Sequence, residues 1–248
     1  MHRMHHFAFA AGIFALSFTF ASLGQSASAD LLRPKDTQEY PELTAFANGY
    51  QTYSYDSGSK TGVFQLSNVP FLLTQGKNSD GSFVESQVGM TSDGIQSQTV
   101  KAVLDSNGNL VDSPLNTFQV YGKVVLGGQT YSGLLLQGTP TAFGSQTLKP
   151  TVDGEDLFDM KLQITGGAMA DLYGKNAYMR VTAEANSTFN GVFTADFSSE
   201  KVLTNVHTVS SNLPQPAPEP ATLYVLLACG AGLLYRGRRR ISARDLGV

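Results

Sequence analysis

Between Asp30 and Leu213 apolar and polar residues alternate with a period of two. Phe118, Val120, Gly122, Val124 and Leu126 fall on one face of Thr117–Leu126. In Ala177–Ala183, Ala177, Met179, Val181 and Ala183 oppose Tyr178, Arg180 and Thr182. Phe189, Phe193 and Phe197 share one side of Thr188–Phe197, with Asn190, Thr194 and Asp196 opposite. Side chains in a strand point alternately to its two faces, so this pattern predicts antiparallel strands with one packed face and one wet face.

Turn dipeptides punctuate the pattern at Asp80-Gly81, Asp93-Gly94, Asn107-Gly108 and Gly127-Gly128. Such pairs suit hairpin turns, which need positive φ at their centre. Strands are expected at Gln51–Tyr55, Gly62–Asn68, Val69–Thr74, Ser82–Val88, Gln98–Leu104 and Thr117–Leu126. Further strands are expected at Tyr131–Gln137, Leu157–Thr165, Ala177–Ala183, Thr188–Phe197 and Lys201–Val209, with one helical turn at Ala168–Tyr173. The fold class is all-β, an antiparallel β-sandwich or jelly-roll of about ten strands.

The two ends of the chain break this rhythm. Arg3 precedes the apolar run Phe7–Leu23, and Ala27-Ser28-Ala29 matches the small-x-small pattern of signal-peptidase cleavage. Residues 1–29 therefore read as a signal peptide cut after Ala29, leaving an extracytoplasmic domain over residues 30–213. Residues 214–220 form a Pro-rich spacer, whose prolines disfavour helix. Ala221–Tyr235 carries no charge over fifteen residues and is expected to be a short transmembrane helix. At 1.5 Å per residue it covers about 22 Å, less than the roughly 30 Å hydrocarbon core. Arg236, Arg238, Arg239 and Arg240 follow, in a basic tail over residues 236–248. This cluster should stay in the cytoplasm, which places the β domain outside, as the signal peptide does.

Pro218-Glu219-Pro220, the short apolar segment and the arginine cluster stand in an order and spacing that resemble the PEP-CTERM sorting signal. The resemblance covers about the last 31 residues. It implies recognition by an exosortase, a membrane-embedded cysteine protease–transpeptidase. It also implies removal of the tail near the motif and delivery to the cell surface or an exopolysaccharide matrix. The Sec translocon and signal peptidase are the other partners expected of such a precursor. Ile241–Val248 runs on past the arginines, where many such tails stop sooner.

Charge and composition narrow the functional classes. Charged residues make up only 15% of the chain, so uncharged polar residues carry much of the surface. Six of the 17 basic residues and two of the 20 acidic residues lie in the two ends, so the remainder carries about −7. An acidic domain repels phosphate backbones, which argues against nucleic acid as a partner. The single cysteine, Cys229, lies in the apolar tail, so the β domain has no thiolate nucleophile, no disulfide and no cysteine metal site.

Candidate chemistry in the domain is sparse. His207 is its one histidine, expected at an exposed strand position, and no G-x-S-x-G elbow accompanies it. No catalytic residues are expected, and no cofactor is required. Calcium is the one metal worth weighing. Asp105, Asn107 and Asn109 place oxygen side chains at alternate positions, but Leu110 and Asn116 stand where a calcium loop wants Gly and Glu, so a hairpin turn fits better. Asp153, Glu155, Asp156 and Asp159 form an acidic cluster open to a calcium or a solvated-loop reading. Asn186-Ser187-Thr188 matches a glycosylation sequon that a turn explains equally well. Tyr53 with Tyr55, and Tyr121 with Tyr131, are the aromatic pairs a saccharide would use. The leading expectation is a non-catalytic surface or matrix protein associated with exopolysaccharide. The alternative is a secreted carbohydrate-binding or carbohydrate-active domain, and a third is a calcium-stabilised adhesin module.

Overall fold

The computed structural model describes residues 31–32, 39–147 and 156–209. The signal peptide with Ala27 and Ala29, the Pro218-Glu219-Pro220 motif, the apolar tail and the arginine cluster lie outside the described residues. Among the described residues no helix is long and apolar enough to cross a membrane.

The elements in chain order are β1 (Glu42–Asp56), β2 (Thr61–Lys77), β3 (Phe83–Gln87), β4 (Ser97–Asp105), β5 (Thr117–Leu126), β6 (Gln129–Thr147), β7 (Asp156–Gly166), α1 (Ala170–Tyr173), β8 (Asn176–Ala185) and β9 (Phe197–Thr208). All pairings of the sheet are antiparallel. The sheet runs β1-β9-β8-β7-β6-β5-β4-β2, and β1 pairs again with β2. The sheet is therefore a closed eight-stranded barrel, with β3 hung on β2 outside the ring.

The all-β, antiparallel class is as the alternation predicts, but the architecture is one closed barrel rather than two stacked sheets. Closure removes from the ring the unpaired edges that each sheet of a sandwich keeps. The strands expected separately at Gly62–Asn68 and Val69–Thr74 are one strand, β2. Thr188–Phe197 is no strand: β9 begins only at Phe197, and the preceding residues form a loop. The helical turn expected near Ala168 is present as α1.

The inward positions read off the alternation. Phe64 and Leu66 of β2, Val100, Ala102 and Leu104 of β4, and Phe118, Val120 and Val124 of β5 are buried. So are Phe158, Met160 and Leu162 of β7, Ala177, Met179, Val181 and Ala183 of β8, and Val202 and Val206 of β9. These side chains join one continuous core that fills the barrel. Each large side chain so buried stabilises the fold by roughly 1.5–3 kcal/mol.

Both mouths are stoppered by chain from the loops. At the end where β8 leads into β9, Phe189 and Phe193 drop inward and meet Phe158, Phe143, Phe197 and Tyr53. The Tyr53 hydroxyl donates to the carbonyl of Phe193 at 3.0 Å. Gly108 is required beneath this plug. Its φ is +83°, and a Cβ there would lie 2.5 Å from the Phe193 ring. At the opposite end Met169 and Tyr173, on and before α1, are buried and close the other mouth.

Strand directions place both ends of the domain at that second mouth. Glu42 at the start of β1 pairs with His207 near the end of β9. The exposed apolar side chains Phe71, Phe83, Met90, Ile95, Val125 and Leu172 lie in the same half of the barrel.

Candidate functional site

The most irregular part of the barrel wall is in β1. Between Phe46 and Tyr50, three residues of β1 stand against the single residue Asn68 of β2. Against β9, the register also slips between Ala45 and Tyr50. A bulge of this kind bends the strand and leaves backbone groups without ladder partners. Asn68, buried on the inner face, takes them up. Its Nδ2 donates to the carbonyls of Ala45 and Val202, each at 3.3 Å, and to Thr204 Oγ1 at 3.0 Å. Gln98 Nε2 also donates to Thr204 Oγ1, at 2.7 Å. Gln51, Asn68, Gln98, Ser199 and Thr204 thus form a buried polar arc on the inner wall. Among the described residues both amide atoms of Gln51, Asn68 Oδ1, Gln98 Oε1 and Ser199 Oγ have no hydrogen-bond partner.

On the outer side of the same bulge lies a groove of about 790 Å³, lined by Phe46, Gly49, Tyr50, Glu184, Glu200 and Lys201. Gly49 allows the strands to approach. A Cβ there would lie 2.7 Å from the Val202 carbonyl and 3.2 Å from Asn68 Cβ. Tyr50 is 45% exposed and pairs in register with Glu200, which in turn pairs with Ala185. Asn186 Nδ2 donates to Glu200 Oε2 at 3.0 Å and so fixes that carboxylate. Ala47, Asn186 and Lys201 hold positive φ values of 27°, 53° and 52° around the groove. Such conformations cost about 1–3 kcal/mol each and gather where a surface is shaped for use. The groove therefore offers aromatic faces, two carboxylates and one ammonium on a constrained backbone.

The residues singled out from sequence fall elsewhere. Tyr53 and Tyr55 do share a face, but it is the inner one. Tyr53 is 1% exposed, and burial, followed by the charges of Tyr55, Asp105 and Asp196, pushes its hydroxyl up to about 12. Tyr55 and Tyr131 pack against the core, so neither aromatic pair forms an outward platform. His207 is buried, not exposed, with Nδ1 3.5 Å from Glu42 Oε2. It sits on the sheet's outer parity beside Asn205, which bonds Glu42 and Thr44.

The described carboxylates of the two calcium candidates make local bonds. Asp105 Oδ1 accepts the backbone N–H groups of Asn107 and Asn109, and Oδ2 accepts Asn109 Nδ2. Burial works against its charge, but hydrogen bonds from Asn109, Asn107 and Gly108 outweigh it and hold the carboxyl below its usual range. This is a self-capped hairpin turn. Asp156 and Asp159 are separated by strand alternation. Asp156 accepts the Ser187 hydroxyl, while Asp159 pairs through both oxygens with Arg180, at 2.8 Å each. The sequon serine and asparagine are thus engaged in side-chain bonds to Asp156 and Glu200. Asp153 and Glu155 lie outside the described residues. Among the described residues no group of three or more His, Cys, Asp or Glu side chains is placed to hold a metal.

Sequence reading missed Phe46 and Tyr50. The one available signal was Asn48-Gly49 inside an otherwise alternating run, a turn dipeptide where a strand continues. No family model and no curated protein sequence matches this chain.

Proposed function

We propose that this protein is an exported, non-catalytic surface or matrix protein, sorted by its C-terminal PEP-CTERM-like segment and associated with exopolysaccharide. The observation that carries the reading is the order Pro218-Glu219-Pro220, uncharged Ala221–Tyr235 and arginine cluster at the C-terminal end, with a signal-peptide pattern at the other. The pairing of Glu42 with His207, which brings the first and last strands side by side at one mouth, is compatible with it. A signal peptide ahead of β1 and a sorting tail behind β9 both attach at that mouth. The tail tethers the barrel by one end, and the plug formed by Phe189 and Phe193 faces away. The half carrying Phe71, Phe83, Met90, Ile95, Val125 and Leu172 faces the membrane before processing. A filled interior suits display: the core is occupied by packed side chains, and recognition belongs to the outer wall.

In this reading Pro218, Glu219 and Pro220 mark the processing site and Arg236, Arg238, Arg239 and Arg240 fix the tail's direction. The test is the intact mass of the protein released from the cell surface. Loss of the segment beyond Pro220, together with residues 1–29, is expected. A surface protein retaining Ala221–Val248 in full overturns it.

A further inference from the structure

We infer that the groove over the β1 bulge binds one or two pyranose units of a neutral or hexosamine-bearing polysaccharide. The inference rests on the display reading only for the source of the polymer.

The lining selects the ligand class. Phe46 and Tyr50 supply aromatic faces, and Glu184, Glu200 and Lys201 ring them with two acceptors and one donor. A pyranose matches this arrangement, having an apolar C–H face for the rings and hydroxyls for the rim. Three other partner classes fit less well. A peptide strand has no edge to join, because β1, β8 and β9 are each paired on both sides. A lipid surface favours cations around an apolar patch, whereas this groove carries two carboxylates against one ammonium. The same net negative charge disfavours uronate, sulfated polymers and nucleic acid.

The groove is also held ready. Gly49 is locked between Val202 and Asn68, and Glu200 is bonded by Asn186 at 3.0 Å. Asn68 secures the inner side of the bulge through three contacts. A site on strands fixed from behind loses little freedom on binding, which favours weak but specific capture of a repeating polymer.

The experiment is calorimetric titration of the full-length chain in detergent with cellohexaose, N-acetylchitohexaose and oligoguluronate. Saturable binding of cellohexaose or N-acetylchitohexaose is expected, with oligoguluronate at least tenfold weaker. Y50A should weaken binding roughly tenfold, as loss of a central aromatic contact does. F46A and E200Q should each weaken it severalfold. L115S, at an exposed residue in the β4–β5 connection across the ring from β8 and β9, should leave it unchanged. Tyr50 is exposed, so Y50A should keep the far-UV spectrum and melting temperature of the parent. Failure of both neutral oligomers to bind, equal binding of oligoguluronate, or unchanged affinity in both Y50A and F46A overturns the inference. None of these results alters the mass of the processed protein, so the sorting reading stands or falls separately.

Discussion

Asn68 and Gln51 are two buried amides on neighbouring strands with opposite energetic roles. Asn68 donates to two backbone carbonyls exposed by the bulge and to Thr204. N68L removes the side-chain donor from the Val202 carbonyl, at about 1–3 kcal/mol, whereas the Ala45 carbonyl keeps the Thr204 hydroxyl and Thr204 keeps Gln98. Among the described residues Gln51 has neither amide atom bonded, so Q51L removes two buried polar atoms without such a partner and keeps the volume close. Urea denaturation should show N68L destabilised by about 1–3 kcal/mol and Q51L unchanged or stabilised. A stabilised N68L, or a Q51L as damaged as N68L, contradicts this division. The site was only faintly legible in the sequence for the same reason. Period two assigns Gln51, Asn68 and Gln98 to inner faces as misfits, but nothing local says that they support a bulge. Nor does local sequence say that Phe46 and Tyr50 line a groove on its far side.

Tyr53 carries a pH-dependent share of stability. Its hydroxyl donates to Phe193, and burial raises its pKa from 10.0 to about 12. A raised pKa means that the native state keeps the proton longer than the unfolded chain. The contribution is full below pH 10, declines above it, and is lost as the pH rises through about 12. Ultraviolet titration should show a tyrosine ionising near 12 that disappears in Y53F. The persistence of that component in Y53F contradicts the assignment.

At the scale of elements, the loop between β8 and β9 shows where periodicity misleads. Phe189, Phe193 and Phe197 sit four residues apart, which satisfies a period of two and so imitates a strand. The same spacing serves a loop that folds back into a barrel mouth. Only the neighbours decide, and here Phe158 meets Phe189 at 5.1 Å between ring centres, while Tyr53 meets Phe193 at 5.5 Å. Those contacts are long-range and invisible to a window of ten residues. F193A removes a buried aromatic and should cost about 3–5 kcal/mol. In a domain of this size each kcal/mol lowers Tm by roughly 2–4 °C. G108A should act in the same direction, because it strains φ and strikes the same ring. A calorimetric scan in which F193A melts within a degree of the parent rules out a structural plug. Strands with a clean alternation were legible, and β5 falls on its expected bounds, whereas β7 buries five successive residues and the first half of β1 and second half of β6 were not read as strand.

At the scale of the molecule, alternation and turn signals specify roughly where strands lie and which faces they bury. They do not specify whether the first strand meets the last. That depends on the summed twist and on bulges such as the one in β1, so sandwich and barrel share one local pattern. In the closed barrel β1 is held on both sides, by β2 and β9. If closure rather than chain order holds the fold, the order can be changed. Glu42 and His207 are partners, so a short linker can join the two ends of the domain. The turn between Asp56 and Thr61 joins β1 to β2 on the surface, and it can be opened instead. Such a permutant keeps every strand pair except the covalent hairpin at that turn. It should be monomeric, with the parent far-UV spectrum and a Tm within several degrees. It would also carry its tail at the opposite mouth, so a surface-displayed version should present the α1 end outward, as labelling of an introduced cysteine near Leu172 can read. An unfolded or domain-swapped permutant would show that the β1–β2 hairpin, and not the ring as a whole, is what the other strands are built on.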